Sequence, residues 1–186
     1  MKSLLIVSGV AASLLLISTN VFSQAKPPAI FIDKGACPFE CCTYRKWRTK
    51  KTTIAYARPD KRSQRVGKFV AGTGVVAITG EVRTIPSHFM VRKEHEKYKP
   101  GDILWVYTYF GEGIFKVWFK GKMYEENLVF SPYGGSMGKR CEVKEQCWGE
   151  LDKELQMTWW VKIRSSKGWV GWTDQAENFS GADECG

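Results

Sequence analysis

The stretch Ile103-Leu104-Trp105-Val106-Tyr107-Thr108-Tyr109-Phe110 decides the fold class, because large side chains fill both faces that an extended strand would have. Turn residues bound the stretch, with Lys99-Pro100-Gly101-Asp102 before it and Gly111-Glu112-Gly113 after it. Residues 114–119 are typical of the returning strand of a hairpin. One face of the first strand is predicted to carry Ile103, Trp105, Tyr107 and Tyr109, and the other Leu104, Val106, Thr108 and Phe110.

Other short runs of β-branched and aromatic residues are separated by turn residues. Only residues 150–156 have some helical character. Because strands do not alternate with helices, a doubly wound α/β fold is excluded. An all-β chain that forms a small barrel or sandwich is predicted instead. The further predicted strands are residues 52–58, 75–79, 82–91 with a break at Pro86, 122–124, 159–164 and 169–173.

The composition fits a folded, basic domain. The chain has 186 residues, of which 44% are hydrophobic and 13% aromatic, so it is too apolar to remain disordered. The formal net charge is +9, and many of the cations lie between residues 46 and 65. Such a basic segment either attracts an anionic polymer of the cell envelope or serves only as a solvated face.

The N-terminal residues 1–23 are predicted to be a secretory signal peptide. Lys2 precedes an apolar run over residues 4–17, and small residues permit cleavage after Ser23 or after Ala25. An uncleaved anchor is the alternative, but the run is shorter than the roughly 20 residues of a membrane span. We therefore expect a bacterial periplasmic or extracellular protein with no integral membrane anchor after cleavage, and no nucleic acid as partner.

The six cysteines are predicted to form disulfides, because their number is even and they follow an export signal. Adjacent Cys41 and Cys42 are expected to take different partners. Cys141 and Cys147 are the most favourable local pair, which leaves Cys37 and Cys185 to join Cys41 and Cys42 in tying the chain ends together. A thiolate metal site or a redox site is the alternative. The spacing lacks Cys-x-x-Cys, so we expect no metal and no cofactor.

Two segments resemble bacterial Src-homology-3-like domains. Thr53-Ile54-Ala55-Tyr56-Ala57-Arg58 with residues 66–75 resembles their opening strands, and residues 159–164 with Gly168-Trp169-Val170-Gly171-Trp172 resemble their closing hairpin. Cys37-Pro38-Phe39-Glu40-Cys41-Cys42 resembles a segment of uncharacterised secreted proteins that carry such barrels. The resemblance implies a small, strongly bent, disulfide-stapled barrel that binds an envelope component, often peptidoglycan or its peptides. It also implies that Gly171 permits close strand approach and that Trp169 or Trp172 fills the barrel.

The expected organisation follows from this resemblance. The signal peptide precedes a cysteine-containing segment, residues 24–51, and a Src-homology-3-like barrel, residues 52–174. Residues 82–157 depart from the pattern of that family and form either a large β-rich insertion or a second β unit. Residues 175–186 are a tail with Cys185.

The sequence favours binding over catalysis. His88 and His95 are the only histidines, and both lie in polar surroundings that are typical of exposed residues. We therefore predict no catalytic residues and a non-catalytic module for peptidoglycan, its peptides or an envelope protein. The alternatives are an envelope hydrolase, an inhibitor of one, and a structural or effector protein without a small ligand. The side chains predicted to line an aromatic groove are Tyr56, Tyr107, Tyr109, Trp118 and Trp160.

Overall fold

A computed structural model describes residues 26–128 and 147–183. It is 2% helical and 56% strand, which confirms the all-β prediction. The predicted signal peptide, residues 1–23, lies outside the described residues, as do Cys141 and Cys185. In the part of the chain that the structure describes, no helix is both long and apolar enough to cross a membrane.

The first sheet has eight strands and curls into a half-barrel. Its order is β13-β2-β5-β11-β12-β3-β4, and β1 pairs with one end of β5. All of these pairings are antiparallel. The strands are β1 (Phe31–Lys34), β2 (Lys46–Thr49), β3 (Thr53–Tyr56), β4 (Arg65–Phe69), β5 (Gly74–Ile85), β11 (Gln156–Ser165), β12 (Val170–Thr173) and β13 (Phe179–Ser180).

The second sheet has five strands and is formed by the chain between β5 and β11. Its order is β10-β6-β7-β8-β9, again antiparallel throughout. The predicted segment 82–157 thus contains a second sheet, but residues 82–85 continue β5 and residues 156–157 begin β11. The strands are β6 (Ser87–Val91), β7 (Ile103–Gly111), β8 (Ile114–Phe119), β9 (Lys122–Asn127) and β10 (Gly149–Leu151).

Each sheet has its own hydrophobic core. In the first, Trp47, Phe69 and Ile163 are buried, and Trp169 stacks on Phe69 with ring centroids 4.6 Å apart. Trp172 belongs to the other face of β12, so Trp169 is the tryptophan that packs against this core. The core of the second sheet contains Phe89, Val91, Tyr98, Leu104, Val106, Phe115, Val117, Phe119, Leu128 and Trp148.

Gly171 lies where strands approach closely, as the resemblance implied. A Cβ atom at this position would lie 2.7 Å from the Cβ of Ala55 and 2.9 Å from Cγ2 of Val66. These distances are shorter than real Cβ contacts, so any side chain at Gly171 would push β12 away from β3 and β4.

The helical character predicted for residues 150–156 is wrong. Gly149–Leu151 is a strand that pairs with β6, and Asp152 begins the turn that leads to β11. Leu151 packs against the second core, so the burial that this strand provides overrides the weak local helix preference.

One disulfide joins Cys37 to Cys42, with their Cα atoms 5.9 Å apart. The sequence analysis predicted that Cys37 helps to tie the two chain ends together. Cys37 instead closes a local loop with Cys42. Cys41 and Cys147 are also disulfide-bonded. The predicted pair Cys141–Cys147 involves a residue outside the described ranges.

Candidate functional site

Four side chains form a continuous row across the second sheet. His88 in β6 lies opposite Trp105 in β7, Trp105 lies opposite Trp118 in β8, and Trp118 lies opposite Met123 in β9. Residues directly opposite each other share a face of the sheet and lie roughly 5 Å apart at their Cβ atoms. We call His88, Trp105, Trp118 and Met123 the tryptophan row.

The tryptophan row occupies the outer face of the sheet. Its neighbours along the strands, Leu104, Val106 and Val117, are completely buried on the opposite face. Trp105 and Trp118 are half-buried, and Met123 is 39% exposed. The two indoles thus stand on the side of the sheet that faces solvent.

His88 closes one end of the row and is held there by Asp152. The His88 ring packs perpendicular to the Trp105 indole, with an interplanar angle of 89° and ring centroids 4.3 Å apart. Nδ1 of His88 lies 2.9 Å from Oδ2 of Asp152, and the His88 amide donates to Oδ1 at 2.9 Å. Partial burial acts to raise the pKa of the Asp152 carboxyl, but these bonds from His88 outweigh it and hold that pKa below its usual value.

Apolar and charged side chains surround the row. Met90 and Ile103 lie opposite each other, two residues along their strands from His88 and Trp105. They therefore share the face of the tryptophan row, and both are exposed. Beyond Met90, Nε of Arg92 donates to Glu150 at 2.8 Å. The outer face therefore carries an apolar centre with polar groups at its border, the usual arrangement of a binding surface. At the β8–β9 side, Lys116 and Glu125 lie opposite each other and form an ion pair at 3.9 Å.

The structure does not bring the five predicted groove residues together. Tyr56 and Trp160 are buried in the first sheet, edge to face with ring centroids 6.0 Å apart. Tyr107 is completely buried, and Tyr109 packs half-buried against Phe115. Of the five, Trp118 alone belongs to the tryptophan row.

Tyr109 and Tyr107 are withdrawn from the predicted groove for different reasons. The β7–β8 register shifts between Val106 and Tyr109, which places Tyr109 opposite Phe115 and against the core of the second sheet. The Tyr107 ring contacts Phe31 of β1 at 5.4 Å between centroids, and its hydroxyl donates to the Pro28 carbonyl at 2.8 Å. Tyr107 is therefore a core side chain between the two sheets and not part of a groove.

His88 and His95 are half-buried, whereas their polar sequence surroundings had predicted exposed residues. His88 contacts Trp105 and Asp152, and the His95 ring stacks on Trp148 with centroids 4.4 Å apart. Among the described residues, no group of three or more His, Cys, Asp or Glu side chains is arranged to hold a metal ion.

Sequence reasoning missed Trp105 and His88. Trp105 stood in the most regular alternation of the chain, which is the signal that identifies an outward-facing strand position. Its pairing with Trp118 depends on the irregular register of β7, which the sequence does not reveal. Comparison of the chain with protein-family models, curated proteins and solved structures finds no match.

Proposed function

We propose that this protein is an exported, non-catalytic binding module that holds a glycan strand of the bacterial cell envelope on the tryptophan row. The observation that carries the proposal is the direct cross-strand pairing of Trp105 with Trp118 on the outer face of the second sheet. Two adjacent indoles on a rigid sheet are an established kind of platform for flat, partly apolar ligands.

A sugar ring suits this platform because one face of it is made of C–H groups while its rim carries hydroxyls. The apolar face stacks on an indole, and the hydroxyls need hydrogen-bond partners at the border. Asp152 supplies carboxylate oxygens beside Trp105, and Lys116 and Glu125 supply polar groups beside Trp118. The row spans four strands, so its length favours a polymer over a single small molecule.

The finer fold assignment belongs to the same proposal. We propose that the half-barrel sheet is a Src-homology-3-like barrel, supported by the antiparallel closing hairpin of β11 and β12 and by the close approach at Gly171. The Cys37–Cys42 bond supports disulfide stapling and an oxidising compartment. Fold resemblance does not identify a ligand, so the glycan proposal depends on the second sheet.

A second candidate, an envelope hydrolase, is favoured by the contact between His88 and Asp152. A histidine oriented by a carboxylate is a component of many hydrolytic sites. However, His88 directs its ring at Trp105 and its Nδ1 at Asp152, and the pair lies on an open sheet face. Incubation with a β-linked N-acetylglucosamine oligomer followed by mass spectrometry separates the candidates, because a hydrolase releases shorter products and a binding module releases none.

Retention on insoluble peptidoglycan whose peptides have been removed tests the leading proposal. We expect the wild-type protein to be retained, and Trp118→Ala to weaken retention by about tenfold or more, as loss of a central aromatic contact does. Trp172→Ala is the matched control, because Trp172 is also a half-buried strand tryptophan but belongs to β12 in the first sheet, away from the tryptophan row. Equal retention of both variants would contradict the proposal, provided that circular dichroism shows both to be folded.

A further inference from the structure

A groove with a volume of about 540 Å³ lies on the first sheet, far along the chain from the tryptophan row. It is formed by β2, the start of β5, the end of β11 and the turn that follows β11. Its size is within the range of small-ligand pockets. We call it the basic groove, and its lining includes Lys46, Arg48, Val76, Arg164 and Ser165.

Strand register places three cations around the basic groove. Val76 of β5 lies opposite Lys46 on one side and opposite Arg164 on the other, so these three side chains share a face. Arg48 lies two residues after Lys46 and shares that face as well. With neighbouring strands about 4.8 Å apart, Lys46 and Arg164 start roughly 10 Å apart at Cα, a span that one anionic group between them can bridge through both long side chains.

These cations lack the acidic partners that other cations of the first sheet's strands and turns have. Lys61 pairs with Asp174 at 2.7 Å, and Arg62 pairs with Asp60 at 3.2 Å. No acidic residue is among the described side chains that line the groove. Within the described part of the chain, Lys46, Arg48 and Arg164 form no ion pair, so the groove concentrates uncompensated positive charge.

The guanidinium of Arg48 is held in place at the groove. Nη1 of Arg48 donates to the Gly72 carbonyl at 2.8 Å, which fixes the guanidinium and uses one of its five N–H donors. The N–H groups of arginine are strong donors to an oxyanion that binds beside them.

We infer that the basic groove binds a sugar phosphate, with its phosphate monoester between Lys46, Arg48 and Arg164. Three cations favour a phosphate monoester over a carboxylate, because the monoester carries nearly two negative charges near neutral pH. Arginine matches phosphate oxygens with two parallel N–H bonds. The remaining groove volume, which is bordered by Val76, Ser166 and Ser180, accommodates the sugar. The inference does not depend on glycan binding at the tryptophan row.

Titration of the ¹⁵N-labelled full-length protein with N-acetylglucosamine 6-phosphate tests the inference by NMR. We expect saturable amide shifts at Lys46, Val76 and Ser165, with much weaker effects from N-acetylglucosamine and from inorganic phosphate at equal ionic strength. Shifts spread over the whole surface would overturn the inference. Binding of inorganic phosphate as tight as that of the sugar phosphate would overturn its sugar component.

Two variants separate a specific site from general charge. Arg164→Gln should weaken binding by about tenfold or more, because it removes a charge-assisted contact. Lys68→Gln, an exposed cation of β4 outside the groove, should leave the affinity within about twofold, since it makes no direct contact. Equal weakening by both variants would contradict the inference.

Discussion

Trp105 and Trp118 are direct neighbours across strands β7 and β8 on the outer face of the second sheet. The strands that carry them are anchored by completely buried residues on the other face, among them Leu104 and Val117. The indoles therefore stand on a rigid support, which lowers the entropic cost of ordering them when a ligand binds.

Replacement of Trp105 should weaken the binding of a β-linked N-acetylglucosamine oligomer in proportion to the aromatic surface that is removed. Trp105→Phe keeps an aromatic face and should weaken binding less than Trp105→Ala, which should cost about tenfold or more. Isothermal titration calorimetry measures both affinities. Equal loss in the two variants would show that the flat ring is not what the ligand contacts.

Substitution of Gly171 should destabilise the first sheet. In Gly171→Ala the new methyl group would lie 2.7 Å from the Cβ of Ala55, and we expect a loss of about 1–3 kcal/mol in the free energy of unfolding. Gly74→Ala is the control, because a Cβ there meets no atom within 4 Å. Urea denaturation of both variants checks this, and equal stabilities would contradict the close packing of β12.

Glu126 should contribute far more to the free energy of unfolding than its neighbour Glu125. Glu126 is buried and accepts hydrogen bonds from Lys97 Nζ and from the Tyr98 hydroxyl, each at 2.5 Å. Glu126→Gln weakens both bonds in a buried site and should lower the free energy of unfolding by about 1–3 kcal/mol. Glu125→Gln disrupts only an exposed pair with Lys116 and should change it by less than about 1 kcal/mol. Thermal and urea unfolding measure the difference, and similar losses would refute the buried network.

Alkaline pH should unfold the protein through its buried tyrosines. Burial raises the pKa of Tyr107 to about 12, and burial also raises the pKa values of Tyr98 and Tyr44. Because the folded protein holds these protons more tightly than the unfolded chain, stability is complete below about pH 10 and falls as pH rises toward 12. Tyrosinate absorbance and circular dichroism should change together for these residues. Ionisation of all tyrosines near pH 10 in a still-folded protein would disprove their burial.

Periodicity predicted much of the second sheet but not its surface. Leu104 and Val106 were placed correctly on one face, and both are core residues. Alternation assigns Tyr107 and Tyr109 to the outward set, but β1 covers Tyr107, and the register shift after Val106 turns Tyr109 toward Phe115 and the core. Alternation assumes a regular strand that no distant segment covers, and neither condition can be read from the local sequence.

The candidate sites show the same limit. Basic residues of the first third were evident from the sequence, and Lys46 and Arg48 do lie in the basic groove. Arg164 comes from the far end of the chain, and only the pairing of β5 with β11 brings it to Val76. Sequence patterns locate cations and aromatic residues, but the register of nonlocal strands decides which of them become neighbours.

The central claim is that the tryptophan row binds a glycan strand, and the indole Nε1–H signals of the ¹⁵N-labelled protein test it most directly. On addition of a soluble β-linked N-acetylglucosamine oligomer, we expect saturable shifts of the Trp105 and Trp118 signals. The signals of Trp47 and Trp148, which are buried, should stay in place. Saturable binding without movement of the Trp105 and Trp118 signals, or no binding at all, would contradict glycan binding at the tryptophan row.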